Sequence, residues 1–200
     1  MRKPGFFVLL IFLAGFHAAG QTANYPDIIN NGTIFLNTGI GFGRVHGKTK
    51  YDEHKTTLIP LIVSADMAIP IASLPFTLGL AFAFSKEEGS IKDNYNYSSY
   101  SAICSSDNMG FALRTGYHFG WGINRFDTYI NLTLGAIRAL EDEKWTNHPA
   151  KKARIDDPNW LFWFQAGIGA RYFFHRNIGV NAEFALGNFY NFSLSMSWRI

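Results

Sequence analysis

The chain has 200 residues, 48% of them hydrophobic and 16% aromatic, with 19 glycines and a formal charge of +3. That is one domain's worth of chain, apolar enough to fold, and it lacks the basic excess that a nucleic-acid partner requires. A single cysteine, Cys104, leaves an exported chain without an internal disulfide and reads as a loop thiol with no role.

Residues 1–20 read as a secretory signal. Arg2 and Lys3 are its charged region, residues 6–16 its apolar region, and Ala18-Ala19-Gly20 its small-residue cleavage site before Gln21. The apolar run is too short for a bilayer-spanning helix, which takes about 20 residues. No Cys follows it, which argues against a lipoprotein anchor. Removing Arg2 and Lys3 takes the formal charge from +3 to +1. Charged or polar residues interrupt every later apolar run, so no transmembrane helix is expected. Residues 21–32, with Pro26 and Asn30-Asn31-Gly32, form a short leader and turn.

From residue 33 the chain alternates apolar with small or polar residues, the period of a strand with two unlike faces. The predicted strands are 33–45, 57–69, 76–85, 109–119, 126–137, 162–174, 178–186 and 192–200. The clearest is the third, with Phe76, Leu78, Leu80, Phe82 and Phe84 against Thr77, Gly79, Ala81, Ala83 and Ser85. The last sets Phe192, Leu194, Met196, Trp198 and Ile200 against Ser193, Ser195, Ser197 and Arg199. Pro60 sits inside the second, where it cannot donate to a ladder. Residues 44–55, 86–108 and 141–159 read as long polar loops, and the intervening connections as short turns. An even strand count then puts every long loop at one end, the asymmetry of an outer-membrane barrel.

Alternation alone does not say which face looks outward. Three features choose lipid for the apolar face. The opposite face is mostly Gly, Ala, Ser and Asn, with isolated charges of both signs, whereas a soluble barrel carries many Lys and Glu there. These charges are Asp66, Arg114, Asp127, Arg171, Glu183 and Arg199, and burial requires them to pair. Aromatic residues (Phe76, Phe84, Tyr117, Phe119, Phe126, Tyr172, Phe174, Trp198) fall near strand ends on the apolar face, as membrane girdles do. Strands can cross a bilayer only in a closed barrel, because every N–H and C=O must be satisfied. The expected fold is an all-β, eight-stranded antiparallel up-and-down transmembrane β-barrel over residues 33–200, with its interior filled by side chains.

The closing segment GARYFFHRNIGVNAEFALGNFYNFSLSMSWRI resembles the final hairpins of small outer-membrane barrels typified by OmpX and the OmpA membrane domain, in the versions common in Bacteroidetes. Gly169, Arg171, Tyr172, Phe173, Phe174, Asn177, Ile178, Gly179, Ala182 and Glu183 carry the match. Residues 59–70 resemble the family's second strand, with Asp66 where a Glu is more usual. The resemblance implies a bacterial outer-membrane location, lipid and barrel-assembly-machinery partners, and an assembly signal. Such chains end in an aromatic residue; this one ends Trp198-Arg199-Ile200, so Trp198 carries the signal two residues early.

Function is less legible. His46, Asp52, Glu53 and His54 share a loop but match no metal template. His118 on the polar face reads as an interior hydrogen-bonded group, and no strand-end group assembles His, Ser and a carboxylate. No catalytic residue, cofactor or metal is expected. Tyr95, Tyr97, Tyr100 and Trp145, in or beside the long loops, are candidates for an extracellular protein or glycan partner. The chain is expected to be a monomeric, non-enzymatic outer-membrane barrel with a structural or surface-interaction role. A narrow channel or small-solute porin is the second reading, a lipid A-modifying enzyme the third, and a soluble barrel with reversed faces the structural alternative.

Overall fold

The computed structural model describes residues 29–43, 53–71, 74–95, 98–119, 125–145, 154–155 and 158–200. Side chains at 53–57, 70, 93–95, 98–99 and 154–155 lie outside what it describes, as do the expected signal 1–20 and leader residues 21–28. The strands are β1 (Ile34–Phe42), β2 (Glu53–Ile71), β3 (Leu74–Tyr95), β4 (Ser98–Phe119), β5 (Phe126–Trp145), β6 (Arg154–Ile155), β7 (Asn159–Phe173), β8 (Ile178–Gly187) and β9 (Phe192–Arg199). All but β6 form one ring of antiparallel neighbours in chain order, and β9 pairs back onto β1 from Phe35↔Arg199 to Phe42↔Phe192. The two residues of β6 pair with the far end of β5, outside the ring. The result is a closed eight-stranded up-and-down barrel, with no helix among the described residues.

The faces are oriented as a membrane barrel requires. Leu80 (64% exposed), Val63, Leu113, Phe162, Ile168, Phe184 and Leu186 point outward, while Asn37, Asp66, Arg114, Asp127, Gln165, Arg171 and Glu183 are buried inside. A soluble barrel would show the reverse. Aromatic contacts band the end that carries the chain's first and last strand residues, here called the lower end. The Phe76 and Tyr117 rings lie 5.3 Å apart, as do Tyr117 and Phe119. Those neighbours cover Tyr117, which is buried although it sits on the outward face. Near the upper end, Phe42 and Phe192 meet at 5.9 Å.

Strand length divides the barrel into two flanks. A tilted strand crosses a bilayer in about 9–11 residues. β1, β8 and β9 have 9, 10 and 8 residues, close to the crossing length with none to spare. β2, β3, β4 and β5 have 19, 22, 22 and 20, about twice the need. The excess continues the ladder upward from Lys86↔Asp107 to Tyr95↔Ser98. The loop expected at 86–108 is therefore a long hairpin. Part of the loop expected at 141–159 is strand as far as Trp145, and β2 starts at Glu53 within the expected loop 44–55. The reason is physical. Above the membrane the outer face no longer meets lipid and carries residues such as Lys86, Ser105 and Asp107, so the hydrophobic alternation that marks a strand disappears while the backbone pairing persists. Pro60 falls where the β2–β3 register slips, between Leu58 and Leu61, so its missing N–H breaks no regular rung.

Leu80→Arg tests the outward face directly. Leu80 sits mid-strand in the lipid-facing belt, and Arg near the bilayer midplane costs about 2–4 kcal/mol in such barrels. Unfolding titrations in lipid vesicles should show that loss, and an Arg variant as stable as wild type would place residue 80 away from lipid.

Candidate functional site: the lumen and the projecting sheet

Inward-facing residues from all eight ring strands build the lumen, and its charges sort into two layers. In the middle layer Arg114 of β4 spans to β8 and β2. Its Nη1 donates to Glu183 Oε2 at 3.1 Å, Nη2 donates to Glu183 Oε1, and Nε lies 3.3 Å from Asp66 Oδ1. Asn37 Nδ2 donates to Asp66 Oδ2 at 3.1 Å and to Ser64 Oγ at 2.9 Å. The Tyr129 hydroxyl donates to Glu183, and its oxygen also lies 2.7 Å from Asn181 Oδ1. Each buried carboxylate thus has a cation and neutral donors, the condition under which a buried charge is tolerable.

The lower layer joins Thr77, His118, Asp127 and Arg171. His118 Nδ1 lies 2.9 Å from Asp127 Oδ1, and Thr77 Oγ1 lies 3.1 Å from His118 Nε2. An ionised Asp127 only accepts, so Nδ1 carries the hydrogen and Nε2 faces the Thr77 hydroxyl. Arg171 Nη1 donates to Asp127 Oδ2 at 3.3 Å. The Arg171 guanidinium stands 4.1 Å from the Phe35 ring centroid and 5.2 Å from that of Tyr129. The sequence shows no strand-end group of His, Ser and a carboxylate; the barrel does bring a Thr, a His and an Asp together there. The available signal was register: Thr77, His118 and Asp127 share one face near the lower ends of adjacent strands. The group is enclosed. Thr77, His118 and Asp127 are buried, with Phe35 stacked on His118 at 6.2 Å and Tyr129 at 5.1 Å. What it does chemically, as arranged, is orient the imidazole and satisfy Asp127.

Arg199 stands apart from both layers. At the lower rim its guanidinium donates to the Arg176 carbonyl and lies 5.0 Å from the Phe173 ring. The expected pairing of Arg199 with an interior carboxylate is replaced by this rim contact, because the last strand residue is already past the lumen. Trp198 faces outward beside Leu36 of β1 and Ile178 of β8.

Glycines let the large interior groups in. A Cβ on Gly169 would collide with the Tyr129 ring, which lies across the β7 backbone at its own register partner. A Cβ on Gly110 would come within 2.7 Å of Trp163.

Above the membrane β2–β5 form the projecting sheet. Tyr100, expected in a loop, is in β4 and half-buried; Trp145 ends β5 with its indole N–H donating to Glu143 at 2.7 Å. Tyr95 is in β3 with its side chain outside the described set, and Tyr97 lies outside the described residues, as do His46 and Asp52. Cys104 is on the sheet's inner face and buried, so it is a strand residue rather than a loop thiol. Burial first, then Glu143, Glu141 and Asp142, push its thiol up to about 11, which leaves little thiolate at neutral pH.

No protein-family profile and no curated protein matches the chain. Among solved structures it is similar to the attachment invasion locus protein Ail of Yersinia pestis in complex with the heparin analogue sucrose octasulfate. The identity is 11% and the TM-score 0.50, over 86% of this chain and 100% of Ail. Ail of Yersinia pestis in a phospholipid bilayer nanodisc also matches, at 12% identity and a TM-score of 0.40, over 85% of this chain and 100% of that one. With its closed ring, outward apolar belt and charged interior, the chain has the fold of the small OmpX-like outer-membrane β-barrels.

Proposed function

We propose that the protein is a non-enzymatic barrel of a Gram-negative outer membrane that holds the projecting sheet above the surface to meet a partner. The signal at 1–20 would export it, Trp198 would present the strand-end signal to the assembly machinery, and the belt would anchor it as a monomer in lipid. The observation that carries this reading is the length of β3 and β4: 22 residues each, where about 10 would cross.

The partner class is an extracellular protein or glycan: over residues 44–55, 86–108 and 141–159 the 11 acidic and 10 basic residues nearly cancel, so no strongly charged ligand is favoured.

The test replaces residues 88–105 with a two-residue turn and displays both forms on whole cells. Both forms should show a heat-dependent shift between unboiled and boiled SDS gels, because the ring is intact. Binding to immobilised extracellular-matrix proteins should be lost with the hairpin. Equal binding by the shortened form would remove the role of the sheet.

A further inference from the structure

The lumen is filled by side chains, and the turn between β8 and β9 folds inward and buries Phe189 and Tyr190. A concavity lies on the outside instead. An apolar furrow of about 870 Å³ crosses the outward face from β9 and β1 to β5. It runs between two rows of register partners. Leu80, Leu113 and Leu134 form its lower bank, and Val63, Phe82 and Phe111 its upper one. Such rows climb the barrel obliquely: the one that starts at Phe35, near the foot of β1, reaches Gly187 at the top of β8. The β5 end of the furrow is therefore its upper end. From β1 to β5 the furrow spans four strand spacings of about 4.8 Å, so about 19 Å. One acyl chain spans half of a hydrocarbon core, about 15 Å.

At that upper end the bank has a notch. Ala136 stands there between Phe111 and Phe162, its register partners on β4 and β7. Directly above the notch on β5 is Arg138, flanked by Met109 and Trp160. Up to that row, Arg138 is the one charged side chain on the outward face of the described ring strands. The carboxylates above it on the same face are engaged elsewhere, Asp107 by Lys86 at 3.2 Å and Asp142 by Lys144 at 3.4 Å. Arg138 itself has no carboxylate partner among the described residues. An unpartnered guanidinium at the edge of a lipid-facing belt is placed to take an anion from the lipid side.

We propose that Arg138 and the furrow are one binding site for a monoanionic phospholipid. The Arg138 guanidinium holds the phosphate beside the exposed Trp160 indole, at the level where aromatic residues meet headgroups. One acyl chain passes the Ala136 notch and lies down the furrow toward Trp198, over the small side chains of Ala65 and Thr38. One free cation matches one phosphate, because Lys86 and Lys144 are already paired with carboxylates. Charge selects the headgroup and the notch admits the chain, so the two features act together at the foot of the projecting sheet. The site rests on the lipid-facing belt and is independent of what the projecting sheet binds.

The experiment is native mass spectrometry of the purified, detergent-solubilised full chain, titrated with dimyristoyl phosphatidylglycerol. Wild type should retain one phosphatidylglycerol per barrel and no dimyristoylglycerol, which has the same chains without the phosphate. Arg138→Gln removes the charge, and Ala136→Phe closes the notch with an apolar group that lipid tolerates. Each should weaken retention about tenfold or more, the scale of one charge-assisted contact. Lys86→Gln, which removes a cation already paired, should leave retention unchanged. Heat-dependent gel migration identifies folded barrels, and either of the first two variants tests the proposal alone if the other fails to fold. Retention by Arg138→Gln equal to that of wild type would overturn the proposal. Full retention by Ala136→Phe would overturn it too, since it leaves a headgroup contact with no seat for the chain. Tighter binding of a doubly phosphorylated lipid A, or a dimer that Ala136→Phe breaks, would overturn it in favour of that occupant.

Discussion

Arg114→Met is expected to destabilise the barrel by about 3–5 kcal/mol, because it leaves buried charge without its partner. Arg114 is the one cation that touches both Glu183 and Asp66 in the described network, each of them buried. Methionine fills a similar volume, so the loss is electrostatic rather than a cavity. Chemical unfolding in lipid vesicles, followed by tryptophan fluorescence, measures it. The companion variants decide the cause. Glu183→Gln and Asp66→Asn, added to Arg114→Met, remove the stranded charges while keeping their shape, and should recover much of the loss. A replacement of a whole buried ion group by neutral residues is often close to neutral overall. If the triple variant is as unstable as the single, the Arg114 side chain stabilises through packing against Tyr129, whose ring centroid lies 5.8 Å from it. Either way the result says whether the middle layer holds the β2, β4 and β8 walls together or only fills the space between them.

The barrel part of this molecule was legible because lipid on one side and lumen on the other impose unlike chemistry on alternate residues. That contrast runs cleanly through residues 76–85 and 192–200, and the strands there are where the alternation put them. It also assigned Trp163, Gln165, Arg171 and Phe173 to the inner face, although two of these are large aromatics. The contrast ends at the membrane surface. Lys86, Glu88, Ser90 and Lys92 read as loop because the face that is apolar up to Phe84 is polar from residue 86 on, yet the β3–β4 ladder runs through them to Tyr95↔Ser98. Long-range partners were less legible than faces. Charges of both signs on one face require pairing but not a scheme: Arg114 meets Glu183 across 69 residues of sequence, and Thr77 meets His118 across 41. Ring closure and tilt set those meetings, and neither is visible in single-strand periodicity. The inward fold of Phe189 and Tyr190 was hidden for another reason. A turn has no periodicity to read, and two aromatics in it look the same whether they meet lipid, water or the lumen.

Trp163→Ala should cost about 3–5 kcal/mol, the range for emptying a fully buried aromatic site. Trp163 is completely buried between Phe189 and the backbone at Gly110, and its indole N–H donates to Gln165 Oε1 at 2.7 Å. Alanine leaves a cavity beside the Phe189 ring and a buried amide oxygen without its donor, and both push the same way. Gly110 supplies the control. In the wild-type barrel an added Cβ at Gly110 would stand 2.7 Å from Trp163 Cε3 and 3.1 Å from Phe189 Cε2, so Gly110→Ala is overpacking, worth about 1–3 kcal/mol of destabilisation. In the Trp163→Ala background the same methyl enters the space the indole left, and its cost should fall to near zero or change sign. The coupling in that double-mutant cycle should therefore be favourable and of order 1–3 kcal/mol, as for residues in direct contact. If residue 163 faced lipid instead, Trp163→Ala would cost little and the two changes would add.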